Sequence, residues 1–436
     1  MRRLKSISIT GLFGKLNHAI TLNQERGITI IHGANGTGKT TVLKIVSQIS
    51  RTIPSFLARL NFKQIKLGFQ DSHALTIHKD GERHLHFELT QGKAKLGDFN
   101  TKRLASIRPE FIAYAVETGE ESIRPLGSNR WLVANDQVVA TEDLWEHIPF
   151  ERLLRTGKQR RASLAELPSW LTDFWKDFDC TLIEEQRLLR VEEDRKRGRP
   201  LFKRVVEDYA DKLRSQIKDV LGGYAEHSQQ LDRTFPRRVV DALESPSPDF
   251  AELSQHLDKI EKRREELHRA GLIEKEPALV QIDPQKLKRE EVAQILSVYT
   301  KDTQTKLEKF DDIYRRVTLF EELINSHFTR KFVKVSKDRG LHLVTDNNEH
   351  LDPASLSSGE QHILVLVYEL IFGDIRQNHL VLIDEPELSL HPLWQLRFID
   401  DLEKIRSINR MDFVLATHSP QIIGDKWPLT QELSVS

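Results

Sequence analysis

The 436-residue chain has one cysteine, no net charge and no long apolar run, and each shortage excludes a class of protein. With Cys180 alone there is no internal disulfide, and its neighbours Phe178, Leu182 and Ile183 make it a core residue rather than a nucleophile. The 65 basic side chains balance 65 acidic ones, so overall charge gives no case for a nucleic-acid partner and any such contact must come from a local patch. The longest apolar runs, such as 363–367, are far too short to cross a bilayer. Met1-Arg2-Arg3-Leu4 leads into a strand pattern rather than into the apolar core of a signal peptide, so a cytoplasmic location with no membrane attachment is expected. The length allows two or three domains with ample core.

Against these absences stands one dense motif. Gly33-Ala34-Asn35-Gly36-Thr37-Gly38-Lys39-Thr40 fits GxxxxGK[ST] and lies between the apolar run 27–31 and the helix-like run 41–46. Glycines let backbone N–H groups curl around phosphates, and the following helix turns its positive end toward them. Lys39 then reaches the β/γ oxygens, Thr40 offers a hydroxyl to Mg²⁺, and Asn35, Thr37 and Thr41 complete the binding set. The chain is therefore expected to bind ATP with Mg²⁺.

Around the motif, Leu4, Ile7, Ile9 and Leu12 alternate with polar residues, as short strands do. Strand patterns recur at 62–69, 73–78 and 84–89, the last two joined by the hairpin signal Asp80-Gly81, which predicts an antiparallel meander beside the nucleotide-binding sheet. Residues 91–178 read as an embedded subdomain. From about residue 190 the chain turns charged and glycine-poor. Phe202, Val205, Tyr209, Leu213, Ile217 and Val220 recur at three- and four-residue steps, and a longer run over 287–327 would extend about 60 Å as a helix. Pro236, Pro246, Pro248, Pro277 and Pro284 are expected to fall between helices, since proline breaks a helix interior. This predicts an antiparallel helical arm, either a protruding rod or a helical subdomain, over 191–330. The head is divided around it into 1–190 and 331–436.

The C-terminal part carries the complementary chemistry. The apolar run 380–383 ends in Asp384-Glu385, and buried carboxylates need a partner such as a metal ion. Asp384 would hold Mg²⁺ and Glu385 would polarise the attacking water. Upstream, Leu356-Ser357-Ser358-Gly359-Glu360-Gln361 precedes an apolar helix and makes an anion-binding helix end. Downstream, the strand 413–417 leads to His418, whose ring can hydrogen-bond a phosphate oxygen.

In this order the motifs resemble ABC-type ATPase heads, and among them the SMC, Rad50, RecF and OLD-like branch. The resemblance covers 1–90, 180–190 and 331–436, and the middle by architecture only. It implies an α/β fold: an ABC-type P-loop head of mixed sheet and antiparallel meander, with an inserted antiparallel helical or coiled-coil arm. It also implies that Ser357 and Gly359 bind the γ-phosphate of ATP held by a second copy, so that the chain forms a homodimer or higher homo-oligomer. Ser358 stands where the family pattern has its first glycine. The family's glutamine loop, which senses metal and water, precedes the insertion; Gln186 fits that place on order, with Gln70 its rival. The continuation Glu387-Leu388-Ser389-Leu390-His391-Pro392 looks like OLD-type and antiphage-defence ATPases, notably those of Septu and PARIS systems. That likeness implies an ATP-switched scaffold controlling a separate effector such as a nuclease. Only 18 residues follow His418, so a nuclease domain after it, as in OLD nucleases, is not expected.

Two weaker constellations remain. His73, His78, His84 and His86 read as a solvated sheet face rather than a metal site, because no cysteine or clear carboxylate completes a ligand set. The basic stretches 155–161, 195–199 and 262–264 have acidic neighbours and read as solvated faces, with nucleic acid left as an open partner and a RecF-like repair ATPase as the second functional reading.

Overall fold

Alternation in the first hundred residues builds an antiparallel meander, and contiguous apolar runs build a parallel sheet beside it. The computed structural model of the chain describes residues 2–50, 54–81, 84–101, 124–127, 130–133, 137–140, 168–183, 201–275, 289–373, 379–388 and 390–434. They form two units, one of residues 1–188 with 375–436 and the other of 189–374.

The first unit begins with strands β1 (Leu4–Leu12), β2 (Leu16–Thr21) and β3 (Ile28–His32) and helices α1 (Lys39–Ser50) and α2 (Pro54–Arg59). Strands β4 (Gln64–Phe69), β5 (His73–Asp80), β6 (His84–Gln91) and β7 (Ala94–Asn100) follow. Then come β8 (Arg124–Gly127), β9 (Arg130–Val133) and β10 (Gln137–Ala140), a small sheet of their own, and α3 (Ser169–Asp177) and β11 (Cys180–Ile183). The meander has the order β2-β1-β4-β5-β6-β7. In β5 and β6 Leu75, Ile77, Leu85, Phe87 and Leu89 point inward while their neighbours stay more exposed, which fits a sheet packed on one face. Gly81, at φ +69°, opens the β5–β6 turn that Asp80-Gly81 foreshadows.

The second unit contains α4 (Leu201–Leu243), α5 (Phe250–Arg269), α6 (Glu290–Leu307), a 3₁₀ turn (Glu308–Phe310), α7 (Asp311–His327), the hairpin β12 (Lys331–Ser336) and β13 (Gly340–Thr345), and α8 (Ser358–Phe372). Helix α4 would span about 65 Å over its 43 residues. It pairs antiparallel with α6: Asp232 meets Lys306, Arg238 meets Asp302, and the Ser245 carbonyl just past α4 accepts from Gln294. Where α4 crosses the hairpin, a Cβ on Gly340 would lie 2.0 Å from the Ala210 carbonyl oxygen, so only glycine admits the approach. Phe310, Val317, Phe320, Leu323, Ile324 and the apolar length of α8 fill the core of this unit.

Pro236 lies inside α4 rather than between helices, which corrects the expectation from its helix-breaking chemistry. Its ring removes one N–H from the ladder. Nearby carbonyls are served by side chains: Arg238 Nη2 donates to the Leu231 oxygen at 2.7 Å and Thr234 Oγ1 to the same oxygen at 3.1 Å. The Arg238 guanidinium also forks onto Asp302 of α6, which anchors the turn that the proline weakens. The run over 287–327 is likewise not one helix, because the 3₁₀ turn separates α6 from α7.

The chain returns to the first unit as β14 (Leu380–Asp384), α9 (Pro392–Gln395), α10 (Phe398–Asn409), β15 (Asp412–Ala416), α11 (Pro420–Ile423) and β16 (Thr430–Glu432). These complete a parallel sheet of order β11-β14-β15-β3-β16. β3, β14 and β15 are apolar nearly throughout, as strands buried on both faces must be. One apolar cluster joins the meander through Ile7, Ile65 and Leu75, helix α1 through Val42, Ile45 and Val46, and the parallel strands through Leu382 and Val414.

Candidate functional site

Parallel register decides where the polar strand ends meet. Ile31 of β3 pairs with Ala416 of β15, which pairs with Asp384 of β14, so three carboxyl ends finish at one level. The segments that follow them are the Gly33–Thr40 loop, the Glu385–Leu388 turn and the Thr417–Ser419 segment. Ligand sites of open α/β sheets form at such an edge.

The loop has the backbone that its glycines permit. Gly33, Gly36 and Gly38 sit at φ +151°, +82° and +87°. A Cβ on Gly33 would lie 2.6 Å from the Leu433 carbonyl oxygen. Thr37 is buried and closes the loop through Oγ1, which donates to the Ala34 oxygen at 3.0 Å, while Asn35 stays exposed. Helix α1 opens at Lys39, so the N–H groups of Lys39, Thr40 and Thr41 fall in its first turn and have no intrahelical acceptor. Lys39 is 5% exposed, and its Nζ donates to the oxygens of Gly33 and Ala34 at 3.0 and 3.2 Å. Burial pushes its ammonium below the usual lysine range, against the opposing pull of Glu385, Asp384 and Glu387.

Thr40 Oγ1 donates to Asp384 Oδ1 at 3.1 Å. Two hard oxygen donors side by side at a phosphate loop suit Mg²⁺. Glu385 takes a left-handed φ of +47°, and its N–H donates to the Ala416 oxygen at 2.9 Å. That turn carries its side chain to His418, whose Nε2 lies 3.9 Å from Glu385 Oε1; both side chains are about a third exposed. Beside them Glu387 accepts from the Thr417 hydroxyl and the His418 N–H, each at 2.7 Å. Sequence reasoning gave Glu387 no hydrogen-bond partners, because Thr417 and His418 follow 30 and 31 residues later in the chain.

Gly33, Asn35, Gly36, Thr37, Gly38, Lys39, Thr40, Thr41, Asp384, Glu385 and His418 all belong to this edge of the first unit. Ser357 and Gly359 lie in the second unit, at the start of α8. There Ser357 Oγ accepts from the Glu360 N–H at 3.3 Å and the Glu360 carboxylate accepts from the Ser357 N–H at 2.7 Å, a reciprocal cap. Lys331 Nζ adds a 2.9 Å contact to the same carboxylate. Burial pushes the Glu360 carboxyl up, yet these hydrogen bonds outweigh it and hold the group below its usual range. Gln186 lies outside the described residues. Gln70 sits in an exposed turn after β4, with its amide on Gln24.

His78 and His86 face one another across β5 and β6 with ring centroids 6.5 Å apart, and His86 Nε2 lies 3.4 Å from Asp98. Among the described residues no group of three histidine, cysteine or acidic side chains is placed to hold a metal, and no helix is long and apolar enough to cross a membrane. Of the three basic stretches only 262–264 is described. Arg263 there pairs with Glu266 and Asp311 and lies over the Tyr314 ring, while Arg264 pairs with Glu261.

A glycine loop between a parallel strand and a helix, a lysine folded onto it, and a threonine–aspartate pair define a P-loop nucleotide-binding protein. The chain belongs to the AAA ATPase domain family, whose model matches residues 203–423. It is similar to the retron Ec83 probable ATPase of Escherichia coli, at 36% identity over 90 residues, 18% of this chain and 16% of that protein. It is also similar to the retron Vc95 probable ATPase of Vibrio cholerae serotype O1 biovar El Tor, at 33% identity over 102 residues, 21% of this chain and 20% of that protein. The matches thus span a fifth or less of either relative. Among solved structures, the Smc head domain with an extended coiled coil from Pyrococcus furiosus, bound to the C-terminal domain of ScpA, aligns with 98% of this chain and 92% of its own at 11% identity and a TM-score of 0.36. The SMC head domain of Thermotoga maritima aligns over 97% and 91% at 10% identity and a TM-score of 0.32.

Proposed function

We propose that this chain is an ABC-type ATPase of the SMC and Rad50-like branch that binds Mg·ATP at the Gly33–Thr40 loop, hydrolyses it, and uses the cycle to assemble with further copies and control a separate effector. The observation that carries the reading is the meeting of Lys39 and Thr40, in the first turn of α1, with Asp384 and Glu385, at the end of β14. Lys39 turns from its loop carbonyls to the β/γ oxygens, and the loop N–H groups hold the remaining phosphate charge. Thr40 and Asp384 would hold Mg²⁺, which when bound neutralises and orients the phosphate oxygens. Glu385 accepts hydrogen bonds from the attacking water and draws off its proton. His418 would donate to the γ-phosphate beside Glu385.

Ser357 and Gly359, at the amino end of α8, serve the nucleotide of a second copy, so full turnover needs at least two protomers. Gln186, with Gln70 as its rival, would supply the glutamine-loop contact, and 191–330 would form the arm of the head. The Glu387–Pro392 continuation and the retron ATPase relatives support a cytoplasmic role in antiphage defence, in which the effector, such as a nuclease, is a different protein. The alternative is a RecF-like repair ATPase that binds DNA. Purification with the products of neighbouring genes, and weighing of the complex with and without ATP, separates the two. Copurification of an effector and an ATP-dependent gain in mass support the switch. A lone chain that binds duplex DNA only with ATP, in a salt-dependent way, supports repair.

A further inference from the structure

Beside Asp384 and Glu385, to which the proposed reaction gives roles, the site holds a third carboxylate, Glu387, that is fixed at both oxygens. Glu387 Oε1 accepts from the His418 N–H and Oε2 from the Thr417 hydroxyl, both at 2.7 Å. Thr417 is fully buried, and its own N–H donates to the Ile31 oxygen at 3.1 Å, one strand from the phosphate loop. Its oxygen also accepts from the Ser419 N–H at 3.0 Å. Ser419 Oγ donates to Gln395 Oε1 at 2.7 Å, and Gln395 Nε2 returns to the Glu387 carbonyl at 3.2 Å and the Leu390 carbonyl at 3.1 Å. The result is a closed circuit through Glu387, Thr417, Ser419 and Gln395, with His418 inside it.

His418 therefore needs no direct bond from Glu385 to stay in place. Their 3.9 Å separation exceeds hydrogen-bond range, so Glu385 does not orient the imidazole in this state. Two charge-assisted bonds from one carboxylate to consecutive residues fix the backbone that carries the ring.

We propose that Glu387 is a positioning residue of the ATPase: its two carboxylate oxygens hold the Thr417–His418 segment so that the imidazole faces Glu385 and the γ-phosphate position. This rests on the ATPase reading and adds to it a residue that acts only through His418. A competing role for Glu387 is its negative charge near Lys39, and the two roles part company in a glutamine variant. Glutamine keeps a carbonyl oxygen for the His418 N–H, and the Thr417 hydroxyl can rotate to accept from the amide.

The test is steady-state ATP hydrolysis, with Mg·ATP affinity measured separately by calorimetry, on the full chain and its oligomer. Glu387→Ala should lower kcat about 10- to 100-fold, the scale of a misplaced catalytic group, with ATP affinity within about threefold of the parent. Glu387→Gln should keep at least about a third of the parent kcat, because the amide oxygen still accepts from the His418 N–H and the amide NH₂ can donate to the rotated Thr417 hydroxyl. In a His418→Ala background, Glu387→Ala should cost less than about threefold more, because a residue that acts through His418 has little left to position. If the alanine variant does not fold, Glu387→Asp, too short to reach both donors, replaces it in the same cycle under the same criteria. A glutamine variant as slow as alanine, or losses that multiply in full with His418→Ala, would overturn the proposal. Absence of ATP hydrolysis by the parent chain and its oligomer would overturn the ATPase reading, and this inference with it; parent hydrolysis with multiplying losses in the cycle overturns this inference alone.

Discussion

Thr40 and Asp384 stand 344 residues apart in the chain, and their side-chain oxygens lie 3.1 Å from one another. The contact joins the first turn of α1 to the end of β14 and fixes where a divalent cation would sit. Lys39, 5% exposed, comes from the same turn, and on the proposed reading its ammonium and the cation would share one small volume. The arrangement separates binding from hydrolysis, and each side chain should lose a different function when removed.

On the proposed reading Lys39→Ala removes the ammonium that meets the β/γ-phosphates, and nucleotide binding should be lost. Calorimetric titration with Mg·ATP reads this directly. Tight binding retained by the variant would place the nucleotide elsewhere.

Composite sites should complement. On the proposed reading Lys39→Ala disables the loop of its own protomer, whereas Ser357→Arg blocks a helix end that would serve a neighbour. Each variant alone should be nearly inactive, and a mixture under exchange conditions should regain activity, because a mixed dimer holds one site with neither defect. Mixtures as inactive as the separate variants would contradict trans sharing by Ser357.

The second unit should show a pH dependence of its own. Burial pushes the Glu321 carboxyl up from 4.5 to about 7, against the Val335 N–H that it accepts at 2.7 Å and the nearby Lys334. The folded state then holds a proton that the unfolded state releases between pH 4.5 and 7. Stability from this group is fully present below pH 4.5 and is lost as pH rises to about 7. The loss is on the order of 3 kcal/mol, at about 1.4 kcal/mol per pH unit. Glu321→Gln, which keeps an oxygen for Val335, should raise the thermal midpoint at pH 8 and flatten its slope between pH 5 and 7. An unchanged slope would assign that pH dependence to other groups.

The pure chain should hydrolyse ATP and leave nucleic acid intact. Asp384, Glu385 and Glu387 all lie at the proposed ATP site beside Thr40 and His418, and the histidines of β5 and β6 form no metal group with described neighbours. Incubation with plasmid, ATP and Mg²⁺ or Mn²⁺ checks this. Cleavage that disappears in Asp384→Ala would mean that the head itself cuts.

The parts of the molecule legible in the sequence are those whose chemistry is local. Glycines 33, 36 and 38 need only their own backbone freedom, and Asp80-Gly81 with flanking alternation specifies a hairpin without outside help. β7 was not legible as a strand. Its middle residue Gly97 breaks the pattern, and the reason is Trp170, whose Nε1 would lie 2.3 Å from a Cβ there. Pro236 misleads for a similar reason: its helix is held by Arg238 on Asp302, 64 residues away. Glu387 depends on Thr417 and His418, and neither spacing nor composition marks that contact. In each case a tertiary partner overrides a sound local rule.

The central claim is that ATP bound at this edge is hydrolysed with Glu385 as the group that activates water. Glu385→Gln leaves Lys39, Thr40 and Asp384 in place, so the variant should still bind Mg·ATP while its phosphate release falls about 100-fold or more. The direct measurement is nucleotide recovered from the protein after incubation with ATP, alongside the rate of phosphate release. Recovered ATP with little phosphate is the expected result, and release at the wild-type rate would contradict the assignment of Glu385.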